Sequence, residues 1–173
     1  MKSSGNMLTI REVKQSDVSA ITNIYNFYIE TSPSTFEESI LPEAEIAKRV
    51  KAVSEKYVWL VGVVEDEVIG YAYASQWKSR SAYRFTVETS IYLKQGAEGN
   101  GYGKALYGEL LHQTEKMGYK CLIGGISLPN ASSIKLHESL GFVKIGDFKK
   151  VGIKFGKWID VGYWELRFEG PKG

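Results

Sequence analysis

One cysteine is all the thiol this chain contains. Cys121 has no second cysteine to pair with, so an intrachain disulfide is excluded, and a reducing, cytoplasmic setting fits. Histidine is nearly as scarce. Only His112 and His137 stand beside that cysteine, a poor ligand set for structural zinc, so no metal is expected. Neither sign of charge is in excess: Lys plus Arg number 22 and Asp plus Glu 20, a formal net charge of +2. That balance gives no electrostatic footprint for nucleic acid. Long hydrophobic runs are missing as well. None approaches the roughly 20 residues of a membrane span, so no membrane partner is expected. The start, Met1–Asn6, lacks the apolar core of a signal peptide, and residues 1–7 are read as a frayed end. Nor is there an internal repeat, a linker or a low-complexity tract. With 173 residues and 43% hydrophobic content, the chain can fill a core and is too apolar for disorder. A single domain over residues 8–169 is expected.

What the chain does have is glycine at alternate positions. Gly99, Gly101 and Gly103 stand between a strand-like run, Thr86–Leu93, and a helix-like run, Ala105–Met117. Glycines at such a junction bare backbone N–H groups to a ligand. The first N–H groups of a helix lack partners within it and carry partial positive charge. Together these features make a phosphate or pyrophosphate site. Two common loops are excluded. A Walker A loop needs Gly, four residues, then Gly-Lys-Ser/Thr, but Ala105 follows Gly103–Lys104 and Glu98 stands where the first glycine belongs. A dinucleotide fingerprint counted from Gly99 ends on Lys104 instead of glycine. On the loop alone, a plain strand-to-helix turn remains open.

Periodicity gives the remaining elements. Leu8–Val13 alternates like a strand. Ser16 can cap a helix striped by Val18, Ile21, Ile24, Tyr25 and Tyr28. Thr31–Phe36 is a loop. Pro42 suits the first turn of a second helix, reaching about Lys56. Tyr57–Val64 and Val68–Ala74 form a hairpin turned at Glu65–Glu67. Gln76–Phe85 is a polar and aromatic loop. Cys121–Ser127 is a strand, and a short helix runs from Pro129 and Asn130 to a stop at Gly141. Phe142–Phe155 and Val161–Phe168 form a last hairpin, turned at Gly156–Lys157. The order β-α-α-β-β-β-α-β-α-β-β predicts an α/β fold, a mixed sheet with helices on both faces.

That order, with a glycine loop after the central strand, resembles the GCN5-related N-acetyltransferase (GNAT) fold, with its mixed, mostly antiparallel sheet. The loop is similar to the family's Gln/Arg-x-x-Gly-x-Gly/Ala motif, although Glu98 departs from the usual first residue and adds a negative charge, with Lys104 a compensating one. The phosphinothricin and methionine sulfoximine acetyltransferase branch is a closer match. The segments that carry this are Tyr28–Ser32, Trp77–Arg80, Ala82–Tyr83, Val87–Ser90, Leu128–Asn130, Leu136–Glu138, Leu140–Phe142 and Gly152–Trp158 with Asp160 and Val161. The resemblance spans about Ile10 to Phe168. It implies acetyl transfer from acetyl-CoA to the α-amino group of a small anionic amino-acid analogue, by direct attack on the thioester, in a homodimer.

The resemblance also implies residues. Ile91, Tyr92, Leu93, Gly99, Asn100, Gly101, Tyr102, Gly103, Lys104, Asn130 and Ser133 would hold the cofactor, with a backbone N–H near Leu93 stabilising the oxyanion. Phe36, Lys78, Ser79, Arg80, Tyr83, Glu88, Thr89 and Ser90 would meet the acceptor. Glu88, a charge on a strand with buried faces, reads as the base that takes the ammonium proton, or as an ion-paired or solvent-facing carboxylate. His137 reads as a group that protonates the thiolate or assists the base, or as a cation at a helix C-terminus. Asn130 is a helix cap in either case. Lys78 and Arg80 read as an anion clamp or as a solvated basic loop. Phe36 could wall the acceptor pocket or fill the core. Cys121, on an apolar strand, is read as inert packing. Two other functions stay open: acetylation of a polyamine or protein N-terminus, which the Lys78–Arg80 pair disfavours, and a non-catalytic acyl-CoA-binding module.

Overall fold

The computed structural model describes residues 7–169. Strand β1 (Thr9–Glu12) is followed by helices α1 (Val18–Thr31) and α2 (Glu43–Ser54). Strands β2 (Trp59–Val64), β3 (Glu67–Gln76) and β4 (Thr86–Leu93) come next. Then come α3 (Tyr102–Lys116), β5 (Cys121–Leu128), α4 (Ala131–Ser139), β6 (Val143–Lys154) and β7 (Lys157–Arg167). The seven strands form one sheet in the order β1-β2-β3-β4-β5-β7-β6. Every pairing is antiparallel except β4 with β5. The expected mixed α/β sheet is observed.

Helices cover both faces. On one, Val18, Ile21 and Ile24 of α1 and Ile46 and Val50 of α2 pack on Trp59, Val61 and Tyr71. The apolar stripe of α1 is what fixes this contact. On the other, Leu106, Tyr107, Leu110 and Leu111 of α3 close over Leu60, Ala72, Val87 and Leu122, with Ile134, Leu136 and Leu140 of the α4 segment beside them. Among the described residues no helix is long and apolar enough to cross a membrane.

Three local expectations are corrected. Ser16 is not the cap of α1. A single 3-10 turn over Gln15–Asp17 leads in, and Asp17 takes the N-cap position. The Asp17 carboxylate accepts from Arg11 at 2.7 and 2.8 Å and from the Lys14 N–H at 2.7 Å. Helix α3 begins at Tyr102 rather than Ala105, because Gly101 at φ +79° caps it from the left-handed region. The last hairpin turns at Phe155–Gly156, both with positive φ, as a tight two-residue turn requires. Trp158–Asp160 therefore belong to β7.

One feature of the sheet makes a site. β4 and β5 pair over only three positions, Thr86 with Cys121, Val87 with Leu122 and Glu88 with Ile123. Beyond Glu88 the two strands part. β4 stays paired with β3 as far as Leu93, and β5 with β7 as far as Leu128. The sheet splits between them.

Candidate active site

The split opens a cleft of about 350 Å³. Thr89–Leu93 form one wall and Gly125–Ser127 the other. Gly99, Gly101, Gly103 and Lys104 close one end, and Asn130, Ser133 and His137 close another. The Lys94 N–H donates to the Ile69 carbonyl at 2.8 Å, which sets the alternation of the β3–β4 ladder. By that alternation the backbone groups of Thr89, Ile91 and Leu93 turn away from β3 and into the cleft. The Tyr28 hydroxyl takes up the Leu93 carbonyl at 2.7 Å, leaving the Leu93 N–H as a donor.

The glycine end fits a diphosphate. Gly99 and Gly101 sit at φ +81° and +79°, and a Cβ at either would meet nothing within 4 Å. Glycine is thus required there by backbone angle, and the space in front stays open. The first intrahelical bond of α3 runs from the Ala105 N–H to the Gly101 carbonyl at 3.1 Å. The N–H groups of Tyr102, Gly103 and Lys104 precede it and have no partner in the helix. Gly103 serves packing, since a Cβ would press on Leu93 Cδ1 at 3.2 Å. At two expected positions, Asn100 and Tyr102, the side chain is engaged away from the cleft. Asn100 Nδ2 turns back to the Ala97 and Glu98 carbonyls at 3.3 Å. Tyr102 packs its ring beside Val64, Ile69 and Ala97. Glu98 lines the cleft, yet its Oε2 is held at 2.8 Å by the Gly96 N–H. It braces the loop, a task glutamine's oxygen could also perform.

The opposite end holds a buried polar chain. His137 Nδ1 lies 2.8 Å from the Ser133 carbonyl. A carbonyl only accepts, so Nδ1 carries the proton and Nε2 accepts. Nε2 stands 3.1 Å from the Tyr107 hydroxyl, which stands 2.6 Å from Thr89 Oγ1. Donation therefore runs from Thr89 to Tyr107 to His137. Burial lowers the His137 pKa, opposed by its bond to Ser133, and the ring is 4% exposed. Burial also raises the Tyr107 pKa, against its bond to Thr89. His137 is thus neutral near pH 7, which removes the reading of a cation at a helix C-terminus. Gly124 makes room for it: a Cβ there would reach the ring at 2.8 Å. Asn130 caps α4, its Oδ1 accepting from the Ser133 N–H at 3.1 Å, and lines the cleft as well.

Glu88 lies on the other face of β4. Successive side chains on a strand alternate, so Glu88, Ser90 and Tyr92 face the side of α1 and α2, while Thr89 faces α3. Thr89, expected at the acceptor, thus belongs to the Tyr107 chain. Glu88 is half-buried, and its carboxylate has no ion pair among the described residues. Burial alone raises its pKa. Both the ion-paired and the fully exposed readings are set aside by this. Tyr163 of β7 shares its side of the sheet. Burial first and the Glu88 charge second raise the Tyr163 pKa, and its ring meets Trp77 edge-on at 5.9 Å. Trp77 leads into the basic loop. Lys78, Ser79, Arg80 and Tyr83 line a separate surface hollow of about 290 Å³. Lys78 Nζ stands 5.5 Å from the Trp77 ring and 5.6 Å from the Tyr83 ring. Among the described residues neither Lys78 nor Arg80 has a carboxylate partner. Phe36 is not a core residue. Its ring is 39% exposed and lies against Gly152.

A sheet split beside a left-handed glycine loop, with a lone carboxylate at the fork, matches a known acetyl-transfer scaffold. The acetyltransferase (GNAT) domain family matches residues 10–162. The chain belongs to the GNAT acetyltransferase family. A phosphinothricin N-acetyltransferase of Streptomyces viridochromogenes is 40% identical over 162 residues, 94% of this chain and 88% of that protein. An L-methionine sulfoximine/L-methionine sulfone acetyltransferase of Salmonella typhimurium is 32% identical, over 94% of this chain and 95% of its own. A phosphinothricin acetyltransferase of Sinorhizobium meliloti, solved in complex with acetyl-CoA, superposes with a TM-score of 0.90. It is 40% identical and covers 92% of this chain and 88% of its own. The present chain is a GNAT N-acetyltransferase, and its acetyl donor is acetyl-CoA.

The sequence reading missed several parts of this site. Tyr107 has nothing in the helix-like run Ala105–Met117 to single it out, because its partners Thr89 and His137 are 18 and 30 residues away. Tyr28 stood in a segment that carried the resemblance, but its bond to Leu93, 65 residues on, has no local signature. Tyr163 was noted only as part of a strand.

Proposed function

We propose that this enzyme moves the acetyl group of acetyl-CoA to the α-amino group of a small anionic amino-acid analogue of the phosphinothricin or methionine sulfoximine/sulfone type. The observation that carries the reading is Glu88, a half-buried carboxylate at the fork of β4 and β5 with no ion pair among the described residues, linked through Tyr163 and Trp77 to a basic hollow whose Lys78 and Arg80 have no carboxylate partner among those residues either. Acetyl-CoA supplies an activated acetyl thioester, which the neutral amine attacks directly. The N–H groups opening α3, with Gly99, Gly101 and Lys104, hold the diphosphate. Ile91 and Leu93 offer backbone groups to the pantetheine arm, and Asn130 and Ser133 face it from α4. Glu88 takes the ammonium proton, directly or through water. The Leu93 N–H donates to the reacting carbonyl oxygen. Neutral His137 and Tyr107 hold Thr89 in place at the cleft wall, which His137 itself also lines. Arg80 and Lys78 grip the acceptor's anionic group, Arg80 in bidentate fashion.

An acceptor panel with acetyl-CoA, read by thiol release, tests the reading. Anionic amino-acid analogues should be turned over and polyamines should not. Turnover of polyamines alone would overturn it. The clamp has its own expected result. Arg80→Ala should raise the acceptor KM at least about tenfold, the value of a lost charge-assisted pair, and leave the acetyl-CoA KM nearly unchanged. Equal effects on both would place Arg80 elsewhere.

The same reading extends to a homodimer. β6 is an edge strand, and Val143, Ile145, Phe148, Val151, Phe155 and Trp158 of the last hairpin are each at least half exposed. Such an apolar edge, left open, invites pairing with another chain. Sedimentation velocity should give a dimer, and Phe148→Glu with Trp158→Glu should give a monomer. A monomeric wild type would end this part of the proposal.

A further inference from the structure

The segment Gly152–Trp158 is among those that carried the family resemblance, yet the chemistry above assigns it no task. Its geometry is unusual. Lys154 ends β6, an edge strand whose other residues are nearly all exposed, and is itself only 2% exposed. An ammonium is buried at such depth only where protein groups replace its water. Here two backbone carbonyls do so. Nζ donates to Ser32 O at 2.7 Å and to Thr35 O at 2.7 Å. Both carbonyls belong to the loop between α1 and α2. Burial pushes the ammonium's pKa down, while the charges of Glu38 and Glu37 oppose that shift.

Gly152, two residues earlier, grips the same loop. A Cβ there would fall 2.3 to 2.8 Å from ring atoms of Phe36. Only the missing side chain lets that ring lie against β6. The loop is thus fastened to the hairpin at Ser32, Thr35 and Phe36.

What is fastened faces the site. Ser34 lines the cleft. Its carbonyl accepts from the Tyr92 hydroxyl at 3.5 Å, and Thr35 Oγ1 lies 2.8 Å from the Tyr25 hydroxyl. Tyr92 stands on the Glu88 face of β4, so the loop lies along the side from which an acceptor amine reaches Glu88. α3 and the glycine loop, which hold the donor's diphosphate, make none of the contacts of Lys154.

We propose that Lys154, together with Gly152, positions the Ser32–Phe36 loop as a wall of the acceptor site and so sets acceptor affinity. This rests on the function proposed above, since it takes the Glu88 face to be where the acceptor binds. Lys154 is a positioning residue. It touches no reacting atom and acts through the loop it holds.

Lys154→Met keeps the buried stem and removes the donors. The acceptor KM should rise about tenfold or more, with the acetyl-CoA KM and the kcat at saturating acceptor within about threefold of wild type. Amide hydrogen exchange at Ser34–Glu37 should accelerate by at least about tenfold while the α3 amides stay unchanged. Gly152→Ala gives an independent arm that leaves Lys154 intact and decides the matter if Lys154→Met does not fold. Its added methyl displaces the Phe36 ring, so the same signature is expected, and in a Phe36→Ala background the substitution should have no further effect. An unchanged acceptor KM with unchanged loop exchange in a folded variant overturns the proposal. So does an equal rise of both KM values. Failure of the proposed function is separable. If the wild type acetylates no anionic amino-acid analogue, that reading falls, while the exchange comparison still decides whether Lys154 holds the loop, and the KM comparison is made with the amine the enzyme does accept.

Discussion

Glu88→Gln should lower kcat by about 10²–10⁴-fold, the usual contribution of a general base, with acetyl-CoA affinity intact. The acceptor amine is an ammonium ion near neutral pH and cannot attack a thioester until it loses a proton. Glu88 is the half-buried carboxylate at the fork of β4 and β5, with no ion pair among the described residues. Glutamine keeps its shape and removes its basicity. Burial raises the Glu88 pKa, so the wild-type rate should fall as pH drops through that raised value. The limb should vanish in the variant. Stability provides a control. A carboxylate whose pKa is raised by folding is bound to its proton more tightly in the folded state. Stability therefore declines as pH rises from the unfolded value through the folded one. At neutral pH Glu88→Gln relieves that cost, so the variant should melt no lower than wild type, and lost activity cannot be ascribed to unfolding. The rival base is His137. Its Nδ1 is committed to Ser133 and its Nε2 to Tyr107, and burial holds it neutral. His137→Ala should therefore keep the acid limb. Near-native kcat in Glu88→Gln at saturating acceptor would end the assignment.

Gly101→Asp should abolish tight acetyl-CoA binding. Near a protein surface, two unit charges 4 Å apart interact by about 4 kcal/mol, so a carboxylate placed among the N–H groups that open α3 should weaken affinity roughly 10³-fold. Gly101→Ala separates charge from strain. A Cβ at Gly101 meets no atom within 4 Å, so alanine costs only the left-handed backbone angle, on the order of 1–2 kcal/mol. Titration calorimetry with CoA on both folded variants should show a small loss for alanine and a large one for aspartate. Unchanged affinity in Gly101→Asp would remove the diphosphate from this loop. Equal losses in the two would assign the effect to the backbone.

The sequence by itself determined the local chemistry of this enzyme. β4 was legible from Thr86 to Leu93 residue for residue, because an alternating run rich in β-branched residues has few other uses. The glycine junction was legible because positive φ and bare N–H groups leave a local signature, though the start of α3 lay three residues earlier than the apolar stripe suggested. Asn130 as a cap needed only its own neighbours. The tertiary structure decided everything that spans distance. That β4 and β5 part after Glu88 depends on what each pairs with on its outer side. Strand alternation puts Glu88 and Thr89 on opposite faces, but only the packing of α3 makes one face a buried Thr89–Tyr107–His137 chain, and only β7 and the Trp77 loop make the other an open, basic one. The hairpin segment Gly152–Trp158 carried a resemblance without a reason until folding brought Lys154 to carbonyls 122 and 119 residues away. Backbone preference acts over a few residues and is written in the chain. Burial, which keeps His137 neutral and raises the pKa of Glu88, comes only from neighbours that folding supplies.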